Sequence, residues 1–179
     1  MKFIIGYIRA VDKFNENIGK IASWLTTILM LIVCYDVFTR YLLHESSVAL
    51  QELEWHLFAL VFLLGAAYTL QLDEHVRVDV IYTNLSDYKK AWINFLGSIL
   101  LLIPFCIVAI IATKNFVINS YLMHETSPNP GGLPARYILK TFIPLSLFFL
   151  LLQGTSLALK SFIQIMNHKA ARDLPEAGK

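Results

Sequence analysis

Charged residues are scarce in this sequence. Only 16% of its 179 residues are Asp, Glu, Lys or Arg, and 56% are hydrophobic, whereas a soluble domain carries about 25% charged and 45–50% apolar residues. One small core cannot bury that much apolar surface, so a lipid bilayer is the expected solvent. The formal net charge of +2, with basic residues spread between apolar runs, gives no support to a nucleic-acid partner.

The sequence also has little that would support redox or metal chemistry. Its two cysteines, Cys34 and Cys106, lie inside long apolar stretches and form no CxxC pair, which is typical of buried free thiols. His75, Arg77 and Asp79 alternate over five residues, but one histidine at this spacing is weak evidence for a metal site. No cofactor is therefore predicted.

Four apolar segments are long enough to cross a bilayer, which takes about 20 residues at 1.5 Å each. Each is apolar around the whole helix. They cover roughly residues 18–43, 53–72, 91–113 and 137–159. We therefore predict an all-α membrane protein with four transmembrane helices, in a single domain over residues 1–179 that ends in a flexible tail at 170–179.

Lysine and arginine are unequally distributed between the ends of these spans. Eleven lie before span one, between spans two and three, or at and after the end of span four, against four near the opposite ends. The positive-inside rule then predicts that both termini and the middle loop are cytoplasmic. Residues 3–18 and 76–90 carry apolar side chains at helical spacing, which predicts short amphipathic helices in the membrane interface. The N-terminal residues lack the uninterrupted apolar stretch that is typical of a signal peptide.

Two segments connect the spans on the predicted outer side. Residues 44–54 are acidic and compatible with a helix, with Ser46 or Ser47 as its N-cap. Residues 124–134 contain three prolines and two glycines, which prevent a helix, and Pro134 is expected in the first turn of span four. A rigid shaped loop and a docking surface for an extracytoplasmic partner both fit this composition.

Few ionisable residues lie inside the spans, where each costs about 2.5–3.5 kcal/mol. Asp36 and Arg40 are four residues apart and share a helix face. They either neutralise each other near the outer interface or face another helix, and the short reach of Asp36 favours the second interpretation. Glu52 and Glu54 are predicted to open span two, where the helix dipole favours acidic residues.

The spans lack the features of a self-contained carrier. They show no carboxylate pair or basic clamp at mid-depth, and no related halves with interrupted helices. Small residues at 65–67 and 154–156 offer faces for close helix contact. The pattern favours an accessory or scaffold subunit.

Several short motifs occur in order between Asp36 and Gly154. They are QELE at 51–54, LGAAY at 64–68, HVRVD at 75–79, GGLP at 131–134, Pro144 and Gln153. Taken in order, they resemble the small membrane (Q-type) subunit of tripartite ATP-independent periplasmic (TRAP) transporters, and the histidine motif is the most specific of them.

The resemblance implies a multi-pass subunit of the bacterial inner membrane that is not an enzyme. In that family a large multi-span permease subunit holds the substrate and sodium sites and moves as an elevator. A soluble periplasmic binding protein delivers a carboxylate or sulfonate, and membrane lipids are the remaining partner. The residues expected to face the large subunit or the binding protein are Asp36, Arg40, Glu52, Glu54, His75, Arg77, Asp79, Glu125, Gly132 and Pro134.

Two alternatives from other classes stay open. Five histidines leave room for a haem-bearing subunit of a membrane electron-transfer complex, although none lies deep in a predicted span. A stand-alone small carrier is the other alternative. A Soret band after purification would support the first, and flux through the reconstituted chain alone would support the second.

Overall fold

Four long helices make up most of the part of the chain that the structure describes. The computed structural model describes residues 2–75, 82 and 84–172, and these residues contain no β-strand. All four helices are long and apolar enough to cross a membrane, which confirms the predicted all-α membrane fold. We number them α1 Lys2–Leu43, α2 Val48–Gln71, α3 Asp87–Leu122 and α4 Tyr137–Arg172.

The central helix of the bundle is α2, which packs against both α1 and α4, while α3 packs mainly against α4. Ala22 of α1, Ala67 of α2 and Phe149 of α4 meet in one buried cluster. Residues 44–47 and 123–136 lie at one end of the bundle, called the loop end. The N-terminus and residues 72–75 lie at the opposite end, called the terminal end.

The first helix is longer than predicted, because residues 3–18 are continuous with span one. The α-helix runs unbroken from Lys2 to Phe38 and continues as a π-helix over Thr39–Leu43. The apolar side of its first turns is buried in the bundle: Ile8 and Val11 are 8% and 6% exposed. The amphipathic pattern therefore predicts the helix correctly, and part of its apolar face packs inside the bundle, whereas Phe3 and Phe14 are 89% and 41% exposed.

A buried polar network joins α1 to α4 near the terminal end. Asn15 Nδ2 donates to Gln153 Oε1 at 2.7 Å, and Gln153 Nε2 donates to Asp12 Oδ1 at 3.1 Å. Ser156 Oγ donates to the same Asp12 oxygen at 3.2 Å, and Lys160 Nζ lies 2.7 Å from Asp12 Oδ2. Because buried polar groups are stable only when they are hydrogen-bonded, this network fixes the rotation of α1 against α4.

Replacing Gln153 with alanine should lower the free energy of unfolding by about 2 kcal/mol, because the buried amide of Asn15 loses its acceptor. The measurement is the thermal unfolding midpoint of the purified protein in detergent. Gln164→Ala is the matched control, since Gln164 is exposed on the same helix. Equal midpoints for the two variants would show that the network contributes nothing to stability.

The third helix also exceeds its predicted span, ending at Leu122 and not at Thr113. It contains a π-helical turn at Ser98–Leu102, in which the N–H of Ile103 donates to the carbonyl of Ser98. Pro104 follows directly. Since proline has no N–H and clashes with the carbonyl four residues earlier, a wider turn lets the helix pass it without breaking.

The remaining helix ends differ from the prediction in smaller ways. Ser47 caps α2, accepting a hydrogen bond from the N–H of Leu50 at 3.4 Å, so the helix begins before residue 53. Pro134 is not in the first turn of α4, because Ala135 adopts a left-handed conformation with φ of 60° and separates the proline from the helix. Residues 76–81 and 83 of the predicted interfacial helix at 76–90, and residues 173–179 of the predicted tail, lie outside the described residues, while residues 87–90 form the start of α3.

Candidate functional site

The loop at residues 123–136 is organised around one carboxylate of α2. Glu52 lies in the second turn of that helix, and its side chain is 4% exposed. Its Oε2 accepts the backbone N–H of Leu133 at 2.7 Å, and its Oε1 accepts the hydroxyl of Ser127. A charged oxygen that accepts several hydrogen bonds holds its donors strongly, so Glu52 fixes the loop to α2.

Arg136 completes this arrangement at the end of the loop. One guanidinium nitrogen lies 3.2 Å from Glu52 Oε1, and Asn129 Nδ2 donates to the same oxygen at 3.3 Å. The guanidinium carbon also lies 5.5 Å from the centre of the Trp55 ring, a distance at which a cation and an aromatic face attract each other. The buried carboxylate is therefore neutralised within the chain.

Gly132 allows the loop to approach Glu52 this closely. A Cβ atom at this position would lie 2.4 Å from Ser127 Oγ and 2.8 Å from Glu52 Oε2. Both atoms take part in the hydrogen bonds that hold the loop. The GGLP motif therefore has a physical explanation, because any larger residue at Gly132 would push the loop away from the carboxylate.

A second contact fixes the start of the loop to α3 and α4. Glu125 accepts hydrogen bonds from the ammonium of Lys140 and, at 2.6 Å, from the hydroxyl of Ser120. The carbonyl of Glu125 also accepts the N–H of Arg136 at 2.9 Å. The hydrogen bond from Lys140, and then that from Ser120, lower the pKa of the Glu125 carboxyl from its ordinary value.

The stability of the loop end should therefore depend on pH in the acid range. Because the pKa of Glu125 is lower in the folded state, its contribution is complete above the unfolded value of about 4.3 and is lost as the pH falls through the folded value. We expect Glu125→Gln to have a lower unfolding midpoint than the parent at pH 7, and the difference to shrink as the pH falls below about 4.3 and through the lower folded pKa of Glu125. A constant difference across that range would contradict the assignment.

Two predicted site residues, Glu52 and Glu54, have different surroundings from those expected. The helix begins at Val48, so neither residue is in its first turn and the dipole does not explain them. Hydrogen-bond donors from the loop explain how the Glu52 carboxylate can be buried. Glu54 is half-buried, and its buried Oε1 accepts no hydrogen bond from the described residues.

Asp36 and Arg40 pair along α1, as their spacing predicts. The Arg40 guanidinium donates to Asp36 Oδ2. The carboxylate is almost completely buried, whereas the Arg40 side chain is 43% exposed. Arg40 is therefore the exposed member of this ion pair, and Asp36 is the buried one.

The other predicted site residues are spread over both ends. His75 is exposed at the terminal end, with Nε2 3.3 Å from the carbonyl of Ala66, while Arg77 and Asp79 lie outside the described residues. Pro134 and His56 line a cavity of about 360 Å³ at the loop end. In the part of the chain that the structure describes, no three metal-ligating side chains come together.

Sequence reasoning missed the polar network of Asp12, Asn15 and Gln153, although polar residues inside apolar segments were the available signal. It also missed Ser127, Arg136 and Lys140 as the partners of the predicted carboxylates. Ser127 and Arg136 lie far from Glu52 along the chain, and Lys140 lies on a different segment from Glu125, so helical spacing could not identify these pairs.

Comparison with known families gives a match over most of the chain. The family described as tripartite ATP-independent periplasmic transporters, DctQ component, matches residues 29–164. No curated protein and no solved structure shows significant similarity to the chain. The matched stretch contains Asp36, Glu52 and the whole loop at 123–136.

Proposed function

This chain belongs to the DctQ component family of tripartite ATP-independent periplasmic transporters, and from that premise we propose which surfaces serve its two partners. A DctQ component is a small permease subunit and not an enzyme, and in its family it works with a large permease subunit and a substrate-binding protein. We propose that this subunit braces the large subunit in the bacterial inner membrane. We further propose that it helps to dock the binding protein, for sodium-coupled uptake of a carboxylate or sulfonate.

The observation that carries the docking proposal is the fixed loop at the loop end. Glu52 holds residues 127–136 to α2, and the Glu125–Lys140 pair holds the start of the loop to α4. A surface that is already ordered before binding loses little conformational entropy when a partner arrives. Glu52 is itself buried, so it would act on a partner through the loop that it positions.

The bracing proposal is supported by the apolar surface of α1. Large side chains remain exposed along its second half, including Trp24 at 71%, Leu31 at 61% and Tyr41 at 71%. Such a surface suits lipid or another membrane subunit. Arg40 adds an exposed cation to the same helix, and interfaces are enriched in arginine and aromatic residues.

The orientation of the chain follows from the same proposal. With eleven of its fifteen lysines and arginines toward the terminal end, both termini would be cytoplasmic and the loop at 123–136 periplasmic. Residues 1–179 would then act as one membrane domain, with His75, Arg77 and Asp79 on the cytoplasmic side. Labelling of single cysteines introduced at the exposed positions 45 and 89 with an impermeant maleimide tests this topology, since only the first should react in intact cells.

Charge reversal tests the two surfaces separately. We expect Arg40→Glu to reduce co-purification with the large subunit in mild detergent. Glu52→Lys should leave co-purification intact while weakening binding of the substrate-loaded binding protein and lowering uptake. Glu45→Lys is the matched control, because Glu45 is exposed at the same end. Normal assembly and normal uptake in both test variants would show that both surfaces are wrongly assigned.

A further inference from the structure

A narrow groove lies between α3 and α4 and contains a single charged group. Its volume is about 300 Å³, and it is lined by Ile110, Ile111, Lys114, Val117, Ile118 and Pro144. Apart from the lysine, every lining side chain is apolar. Ile111 and Ile118 are 67% and 41% exposed, so the groove opens onto the surface of the bundle.

The position of Lys114 along α3 places it at the level of lipid headgroups. No charged residue lies between Lys90 and Lys114, and the 23 residues that separate them correspond to about 36 Å of helix between the two lysines. The hydrocarbon core of a bilayer is about 30 Å thick. Lys90 and Lys114 therefore lie near the two opposite membrane surfaces, and Lys114 lies at the depth where the phosphates of one leaflet are found.

The surrounding contacts agree with this depth. The Lys140 ammonium, which pairs with Glu125, lies 4.1 Å from the centre of the Phe116 ring. Phe116 is two residues from Lys114 on the same helix. The groove therefore lies at the depth of these polar contacts, with Ile110 and Ile111 on the membrane-centre side of Lys114 and Val117 and Ile118 on the loop-end side.

Lys114 differs from the other cations at the loop end in having no carboxylate. Arg40 pairs with Asp36, Arg136 with Glu52 and Lys140 with Glu125. Among the described residues, no acidic side chain forms an ion pair with Lys114, which is exposed. An unneutralised cation on the wall of an apolar groove is complementary to an amphiphile with an anionic head.

We propose that this groove is a binding site for an anionic phospholipid. The Lys114 ammonium would contact the phosphate, and the upper part of one acyl chain would lie against Ile110, Ile111 and Pro144. A lysine ammonium is a flexible point charge that reaches a phosphate by extending its stem along apolar surface. The site lies outside the loop and the α1 surface that we assign to the protein partners.

Native mass spectrometry of the full-length chain in detergent tests the proposal. Phosphatidylglycerol and phosphatidylethanolamine with the same acyl chains are titrated separately, and the bound fraction of each is measured. We expect phosphatidylglycerol to bind more tightly, and Lys114→Gln to weaken its binding roughly fivefold. Lys20→Gln removes the same charge from a lysine that is paired with Glu16, and it should leave phosphatidylglycerol binding unchanged.

A second variant examines the apolar part of the groove. Ile118→Trp should fill the groove without disturbing the core, because Ile118 is already exposed, and it should also weaken phosphatidylglycerol binding. Equal binding of both lipids, or no effect of Lys114→Gln, would overturn the proposal. So would a Lys114→Gln variant that binds lipid normally but loses the large subunit, because the groove would then belong to a protein partner.

Discussion

Replacing Glu52 with glutamine is expected to release the loop at 123–136 from α2 and to reduce uptake by the assembled transporter severalfold. The amide would direct its NH₂ group toward the N–H of Leu133, and the Arg136 guanidinium would lose its ion pair. Because glutamine has one acceptor oxygen where the carboxylate has two, at least one donor of this buried network is left facing the NH₂ group without an acceptor. The direct measurement is limited trypsin cleavage after Arg136, which should become roughly tenfold faster.

The control for this experiment is Glu45→Gln, an exposed glutamate at the same end of the bundle. It removes the same charge without touching the loop. Gly132→Ala provides an independent route to the same result, because its Cβ would collide with Ser127 and Glu52. If Glu52→Gln and Gly132→Ala both keep the parent rates of cleavage and uptake, the loop is not held as we describe.

The second large effect is expected at Gly19 of α1, which lies directly against Tyr68 of α2. A Cβ atom there would lie 2.4 Å from Tyr68 Cγ and 2.9 Å from Tyr68 Cβ. Because these atoms are close to the backbone, the tyrosine cannot rotate out of the way, and the two helices must separate. We expect Gly19→Ala to lower the free energy of unfolding by about 2 kcal/mol, the usual cost of overpacking a core.

Gly65 supplies the matched control on the facing helix. No atom lies within 4 Å of a Cβ built at Gly65, so Gly65→Ala should be neutral or slightly stabilising, as alanine favours a helix. A double-mutant cycle then assigns the cause. The penalty for Gly19→Ala should shrink in a Tyr68→Ala background, and an unchanged penalty would show that the tyrosine is not responsible.

The four spans follow from the sequence because apolar content is a local property. Where a helix continues beyond its apolar segment, its end depends on contacts with other helices, and these contacts cannot be read from local sequence. Residues 3–18 look like an interfacial helix until α4 is seen to supply Gln153 and Ser156 as partners for Asp12. Likewise Lys114 resembles the end of span three, although a single lysine can extend to the membrane surface and let the helix continue.

The sequence predicts several residues of the candidate site, but it does not predict the contacts that these residues make. Glu52, Glu125 and Gly132 were selected from the sequence, but their roles depend on contacts between distant segments. Ser127 and Arg136 lie 75 and 84 residues from Glu52 along the chain, and no periodicity connects residues so far apart. Asp36 and Arg40 were correctly paired because both belong to one helix.

The π-turn at Ser98–Leu102 has a consequence for insertions and deletions in α3. A π-turn accommodates one residue more than regular α-helix would use over the same length, so removing one residue there would convert the turn to α-helix and leave the residues that follow in place. Removing one residue from the regular turns between Ile103 and Lys114 would instead rotate everything that follows by about 100°. Lys114 would then leave the groove beside Pro144, and Ser120 would turn away from Glu125. The packing register of α3 on α4 therefore depends on the number of residues in the regular turns of α3. An insertion or deletion of one residue there would change which side of α3 faces protein and which side faces lipid.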